Sequence, residues 1–169
     1  MIIVEGCDPV ARRQVCQTLA QTTESRVIGL GAGGPEFTVA DEATFATVYT
    51  LLKEGFLRTP LVFNTFYPTR DILRKRANVR PIVDANPNDE LPSHTVVYLA
   101  VSAKTMSEST GLDFYLAKSL VKDYEEYMGG LDHMKRVNVV HIDQESLAMD
   151  LSDAALSLSQ SGVLTPRLA

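Results

Sequence analysis

Short apolar, β-branched runs alternate along the chain with stretches whose apolar residues recur every three or four positions. Residues 2–4 read Ile-Ile-Val, a buried strand, and residues 9–21 follow as a helix with Ala11, Val15 and Leu19 on one face. Residues 26–30 make a second strand candidate, which runs into the loop Gly29-Leu30-Gly31-Ala32-Gly33-Gly34-Pro35. Residues 40–56 set Phe45, Val48, Leu51 and Leu52 at helical spacing, with Gly55 near the end. Leu61-Val62-Phe63 predicts the next strand, residues 69–77 a basic helix, and the Pro-, Asn- and Asp-containing residues 79–92 a loop. Val-Val-Tyr-Leu-Ala-Val at 96–101 is the clearest strand in the chain. Residues 114–128 predict a helix carrying Leu116, Leu120, Val121 and Tyr124, closed by Gly129-Gly130. Residues 137–142 form a last strand and 145–159 a last helix. Strands separated by helix-length segments predict a parallel sheet covered on both faces, an α/β fold. With no repeat and no linker, residues 1–169 read as a single domain.

Composition narrows the classes. With 45% hydrophobic and 22% charged residues, the chain is neither disordered nor collagen-like. A net charge of -5 argues against a surface that binds nucleic acid everywhere and leaves room only for a local basic patch. No run approaches the ~20 apolar residues of a membrane helix, and Met-Ile-Ile-Val-Glu has neither the basic start nor the cleavage site of a signal peptide. Cys7 and Cys16 are too few for a disulfide framework or a zinc site, so the expectation is a reducing cytoplasm, no membrane partner and no metal.

Ligands of an open parallel sheet bind beyond the carboxyl ends of its strands, which here means the segments after Val4, Phe63 and Val101. The first reads Val4-Glu5-Gly6-Cys7-Asp8-Pro9-Val10-Ala11-Arg12-Arg13, in the register of the phosphate-binding loop Gly-x4-Gly-Lys-Ser/Thr. A phosphate cradle needs successive backbone N–H groups pointing inward, in conformations that glycine adopts readily. Pro9 has no N–H and a fixed φ. Asp8 followed by Pro9 is instead a helix start, with Asp as N-cap and Pro at the first helical position. The segment therefore reads as a tight strand-to-helix turn whose helix begins early and closes the space where phosphates would lie.

Over nearly its whole length the chain resembles the thymidylate kinase and deoxynucleoside kinase family, whose first strand runs into Glu-Gly-x-Asp-Gly-x-Gly-Lys-Ser/Thr. Residues 45–56 resemble the family helix that holds the base, 61–69 the strand ending in Asp-Arg with a Ser four residues on, 96–102 the strand before the lid, and 137–143 the closing strand with its Asp. The resemblance implies a P-loop, nucleotide-kinase-like fold, and it makes Gly6, Asp8, Arg12 and Arg13 the phosphate-binding candidates and Phe45 and Tyr49 the base-binding candidates. Order and spacing carry the match, while most signature residues differ. Against the pattern stand Pro9 and Ala11 for glycines, Arg12 for the Lys, Arg13 for the magnesium-holding Ser/Thr, and Asn64-Thr65 for Asp-Arg. Thr69 replaces the Ser, Tyr49 replaces the base-reading Arg, and residues 103–113 offer Lys104 and no Arg to a lid. Phosphoryl transfer rests on positioning and on cations, and losing one such electrostatic group typically costs ~3 kcal/mol. The resemblance with these departures implies a pseudo-kinase without catalytic residues, acting through a protein partner or weak nucleotide binding, with no cofactor and in homodimeric form. The alternative is an active deoxynucleotide or nucleoside kinase using ATP and magnesium, with Arg12 or Arg13 on phosphate.

Arg70, Arg74, Lys75, Arg76 and Arg80 place five of sixteen basic residues in eleven positions, Arg70 and Arg74 one helical turn apart. They read as a solvated helix face or, alternatively, as a contact for phosphate, an acidic partner or nucleic acid, which makes an accessory nucleic-acid-binding protein the third reading. The Gly29–Gly34 run lacks the helix and the acidic residue of a dinucleotide fingerprint. His94, His133 and His141 show no ligand spacing, with His141 read as a structural histidine in a strand. Ser102, Ser107 and Ser109 have no hydrolase context. Cys7 reads as packed, and Asp123, Glu125 and Glu126 as solvent-facing.

Overall fold

The structure, a computed structural model, describes residues 1–30, 36–58, 60–144 and 151–160. Along the chain they form β1 (Ile2–Gly6), α1 (Pro9–Thr22), β2 (Arg26–Gly29), α2 (Val39–Lys53), β3 (Leu61–Asn64) and α3 (Tyr67–Arg76). These are followed by α4 (Pro87–Glu90), β4 (His94–Ala100), α5 (Ala103–Thr110), α6 (Phe114–Leu131), β5 (Val137–Asp143) and α7 (Leu151–Gln160). The five strands make one parallel sheet in the order β2-β3-β1-β4-β5. This is the single-domain α/β architecture that the alternation of runs predicts.

The period of two along each strand divides the core. Ile3, Leu61, Phe63, Val96 and Tyr98 face one layer, where they meet Phe45, Tyr49 and Leu52 of α2, Tyr67, Ile72 and Leu73 of α3, and Leu120, Tyr124, Met128 and Leu131 of α6. Ile2, Val4, Val62, Val97 and Leu99 face the other layer, against Ala11, Val15, Cys16 and Leu19 of α1 and Ala155 of α7. β1 is therefore buried at all five positions, which is why its sequence is continuously apolar until Glu5.

Boundaries differ from the sequence expectations where local chemistry intervenes. α2 ends at Lys53, capped at its start by the reciprocal Thr38–Asp41 box and followed by Gly55 at φ 78°. Its buried face is Phe45, Tyr49 and Leu52, while Leu51 is exposed. α3 starts at Tyr67, two residues early, because Pro68 fits a first turn that needs no amide there. Within residues 79–92, Asn86 and Pro87 start the single turn α4. Gly129 and Gly130 do not close α6. The helix continues to Leu131, since burial of Met128 and Leu131 outweighs the ~1 kcal/mol that each helical glycine costs. Ser102 caps α5, and Gly111 at φ 74° ends it, so the segment expected to form a lid is a short helix with Met106 packed inward. Residues 31–35 of the glycine-rich loop and 145–150 of the last expected helix lie outside the described residues.

His94, at the start of β4, is the buried structural histidine. Its Nδ1 donates to the Pro92 carbonyl (2.8 Å), and its Nε2 lies 2.9 Å from the Tyr67 hydroxyl, which donates to it. Burial lowers its pKa to about 4. His141, expected in that role, lies exposed on β5, 3.6 Å from Asp132.

Candidate functional site

The turn between β1 and α1 is built around Asp8. Its Oδ1 accepts from the amides of Val10 (3.0 Å) and Ala11 (3.3 Å), and its Oδ2 accepts from Gln144 Nε2 (3.0 Å). Pro9 occupies the first helical position. The positive end of α1, which would otherwise attract an anion, thus already holds the chain's own carboxylate. Arg12 does not reach outward. It is buried, donating through a terminal guanidinium nitrogen to the Gly6 carbonyl and through Nε to Asn64 Oδ1 (3.2 Å). Of the phosphate-binding candidates, Gly6, Asp8 and Arg12 come together, but they bind one another, and Arg13 is exposed on α1. Two amides are taken, one is missing at Pro9, and the inward cation is engaged.

Gly6 has φ 146°, and a Cβ there would lie 2.8 Å from the Leu99 carbonyl oxygen. Gly6→Ala is expected to cost about 2–3 kcal/mol through strain and this clash, read as a lower urea midpoint at unchanged m-value.

Glu5, absent from the candidates above, joins this site. An acidic residue ending a buried apolar strand is the signal that marked it. Its side chain is wholly buried, and its carboxylate accepts from the Phe66 amide (2.7 Å) and from the Thr69 hydroxyl. Desolvation raises its pKa from the ordinary 4.5 to about 7, against the pull of those hydrogen bonds and of Arg12. Thr69 in turn shares a 2.8 Å hydrogen bond with the Tyr124 hydroxyl of α6. Residues 64–69 therefore turn the signature positions inward. Asn64 holds Arg12, Thr65 adopts φ 65°, and Thr69 holds Glu5.

Thr69 and Tyr124 line a cavity of about 340 Å³ beyond the end of β1, between α1, α3, α5 and α6. Its other walls include Pro9, Val10, Leu73, Met106, Leu112 and Leu120, with the hydroxyl-bearing Ser109 and Thr110 at α5. Cys7 also borders it. Burial pushes its thiol up to about 12, so it is a neutral packing group despite its place before a helix.

The base-binding candidates lie in the core. Phe45 and Tyr49 are 1% and 2% exposed. Phe45 packs on Phe66 (centroids 5.2 Å apart) and on Tyr49 (5.5 Å), with the Arg70 guanidinium carbon 4.4 Å from its ring centre. Tyr49 donates to Glu90 Oε1 (3.1 Å) and accepts from the Asn86 amide (2.9 Å). Phe66, stacked on Phe63 at 4.4 Å, is one of the rings on Phe45, where a bound base was expected to stack.

The basic cluster does not form one face. Arg70 is buried against Glu42 and Asp71, because its helix position points into the core. Arg74 is half-buried and donates to the Val79 carbonyl (3.0 Å), and Arg76 pairs with Asp123 of α6 (2.7 Å). Lys75 and Arg80 are exposed. In the acidic group, Asp123 is thus paired, Glu125 accepts from Tyr98 (3.0 Å), and Glu126 lies 3.8 Å from Lys122. Among the described residues no cluster of three His, Cys, Asp or Glu side chains suits a metal ion, and no helix is long and apolar enough to cross a membrane.

No family model and no curated protein matches the chain. Solved structures do. The YorR protein from Bacillus subtilis, in complex with phosphorylated GDP, is 16% identical over 93% of this chain and 92% of its own, with a TM-score of 0.67. Deoxyadenosine kinase from M. mycoides, with products dCMP and a flexible dCDP bound, is 15% identical over 95% and 96%, with a TM-score of 0.56. A gluconokinase from Sinorhizobium meliloti 1021 is 19% identical over 96% and 90%, with a TM-score of 0.52. With its strand order β2-β3-β1-β4-β5 in one parallel sheet, the chain shares the overall fold of these solved structures, a deoxyadenosine kinase and a gluconokinase among them.

Proposed function

We propose that the protein is a non-catalytic member of this fold, a pseudo-kinase of the cytoplasm that acts through a protein partner and holds nucleotide weakly or not at all. One observation carries the reading: the polar groups of the turn after β1 are already engaged with the chain itself, Asp8 with the first amides of α1 and Arg12 with the Gly6 carbonyl and Asn64. An anion entering there would have to displace a carboxylate from a helix N-terminus and uncouple a buried guanidinium. Phe114, Tyr115 and Leu116 lie exposed in sequence at the start of α6, an apolar cluster of the kind that a protein partner or a second copy covers.

Calorimetry with ATP and magnesium, and separately with thymidine monophosphate, is expected to give no saturable heat at millimolar ligand, and a coupled assay no ATP turnover. Tight ATP binding, or turnover that disappears in Arg12→Ala, would overturn the reading. Pull-down with the intact chain is expected to capture a protein that Phe114→Ser with Tyr115→Ser releases.

The second reading is an active deoxynucleotide or nucleoside kinase. It draws on the nucleotides bound to the YorR protein and to deoxyadenosine kinase, and on Arg13, which stands exposed one position beyond Arg12. Under that reading ATP turnover is present and falls with Arg13→Ala. The nucleic-acid reading retains Lys75, Arg76 and Arg80 as exposed members of the basic cluster, with Arg76 paired to Asp123. Salt-sensitive DNA binding lowered by Lys75→Ala with Arg80→Ala would support it.

A further inference from the structure

We propose that the cavity beyond β1 binds an uncharged, mostly apolar small molecule carrying one hydrogen-bond donor, which it presents to the Tyr124 hydroxyl. This deepens the proposed function and rests on the same inward-turned Arg12.

Size comes first. Ligand pockets span roughly 300–1,000 Å³, and 340 Å³ lies at the small end, suited to a bicyclic molecule. Charge comes second. Asp8 and Arg12 are the charged residues among those lining the cavity. Asp8 is bound to helix amides and Gln144, and Arg12 to Gly6 and Asn64. The remaining walls are largely apolar, with Leu73, Met106 and Leu120 among them, so an anion would lose its hydration without gaining a counter-charge.

The donor requirement follows from counting protons. Ionised Glu5 can only accept, so Thr69 spends its single hydroxyl proton on Glu5. The 2.8 Å contact between Thr69 and Tyr124 is then made with the Tyr124 proton. What the Tyr124 oxygen has left for the cavity is a lone pair. Three hydroxyl or carboxyl groups in series thus fix the polarity of the site from its buried end.

The test uses indole, benzofuran and quinoline, three bicyclic probes of similar bulk that offer respectively a donor, almost nothing and an acceptor. Binding is followed at pH 8 by calorimetry and by amide NMR shifts. Indole is expected to bind saturably, shifting the amides of Met106, Leu120 and Tyr124, and about fivefold more tightly than benzofuran, the factor that one net hydrogen bond supplies. Tyr124→Phe should bring indole down to the affinity of benzofuran and leave benzofuran unchanged. In Glu5→Gln the carboxamide N–H donates to Thr69, the Thr69 proton turns to Tyr124, and the Tyr124 proton faces the cavity. Quinoline should then overtake indole. The proposal fails if no probe shifts those amides, if indole and benzofuran bind alike, if Tyr124→Phe leaves their ratio intact, or if inorganic phosphate shifts the same signals. Silence from both indole and ATP defeats this proposal alone, whereas ATP heat with silence from indole defeats it together with the proposed function.

Discussion

Arg70→Ala is expected to lower the free energy of unfolding by about 3–5 kcal/mol, the range for breaking one partner out of a buried ion pair. Arg70 Nε donates to Glu42 Oε2 at 2.8 Å, and a second guanidinium nitrogen donates to Glu42 Oε1 and to the Val83 carbonyl (2.8 Å). Its third nitrogen meets Asp71 Oδ1 (2.8 Å), and the guanidinium also covers the Phe45 ring. Burial on its own would raise the Glu42 pKa, but the hydrogen bonds from Arg70 and the Ile82 amide, with the charges of Arg70 and Arg74, hold it below the ordinary carboxylate range. Without Arg70, the fully buried Glu42 keeps one amide and loses its counter-ion. Urea denaturation should show the loss as a lower midpoint. The double variant Glu42→Leu with Arg70→Met should be markedly less damaged than Arg70→Ala, because an apolar pair leaves no orphaned charge. A double variant as unstable as the single one would mean that packing, not charge, sets the cost.

The second large effect is a pH dependence that the wild-type protein partly conceals. Glu5 has its pKa raised by desolvation from 4.5 to about 7 in the folded state, so the folded chain binds a proton that the unfolded chain has released. Its contribution is present in full below about pH 4.5 and is lost as pH rises through about 7, a change of about 3 kcal/mol. His94 acts in the opposite sense. Burial lowers its pKa to about 4 from 6.5, so the unfolded chain binds the extra proton and stability falls as pH drops through that interval. The two overlap, and the wild-type curve flattens between them. Glu5→Gln keeps the volume and the acceptor for the Phe66 amide, reverses the hydrogen bond with Thr69, and removes the Glu5 titration. From pH 5 to pH 8, stability measured against wild type should therefore rise by up to about 3 kcal/mol in the variant's favour. Parallel curves for the two proteins would show that Glu5 titrates at its ordinary value.

How much of this the sequence disclosed depended on how far away the partner lay. The strands at 61–63 and 96–101 were readable because a strand buried on both faces must be apolar throughout. The early start of α1 was readable because Asp8 and Pro9 act on their own neighbours. Phe45 and Tyr49 were placed correctly on a helix, but spacing alone does not say whether a ring faces a ligand or Phe66, which lies two elements further on. The cluster from Arg70 to Arg80 looked like a surface because Glu42 and Asp123, which take up Arg70 and Arg76, are distant in sequence. The Glu5–Thr69–Tyr124 series joins three elements, and no local pattern announces it.

The sheet's centre has a further consequence for synthesis. β1 is made first, yet its neighbours are β3, paired through Ile2 and Val62, and β4, paired through Ile2 and Thr95. A nascent chain halted before β4 would hold the sheet's central strand with one side unpaired, a template for sticking to other chains. Fragments ending near residue 90 should therefore aggregate, and folding of the intact chain should wait for the second half to emerge from the ribosome.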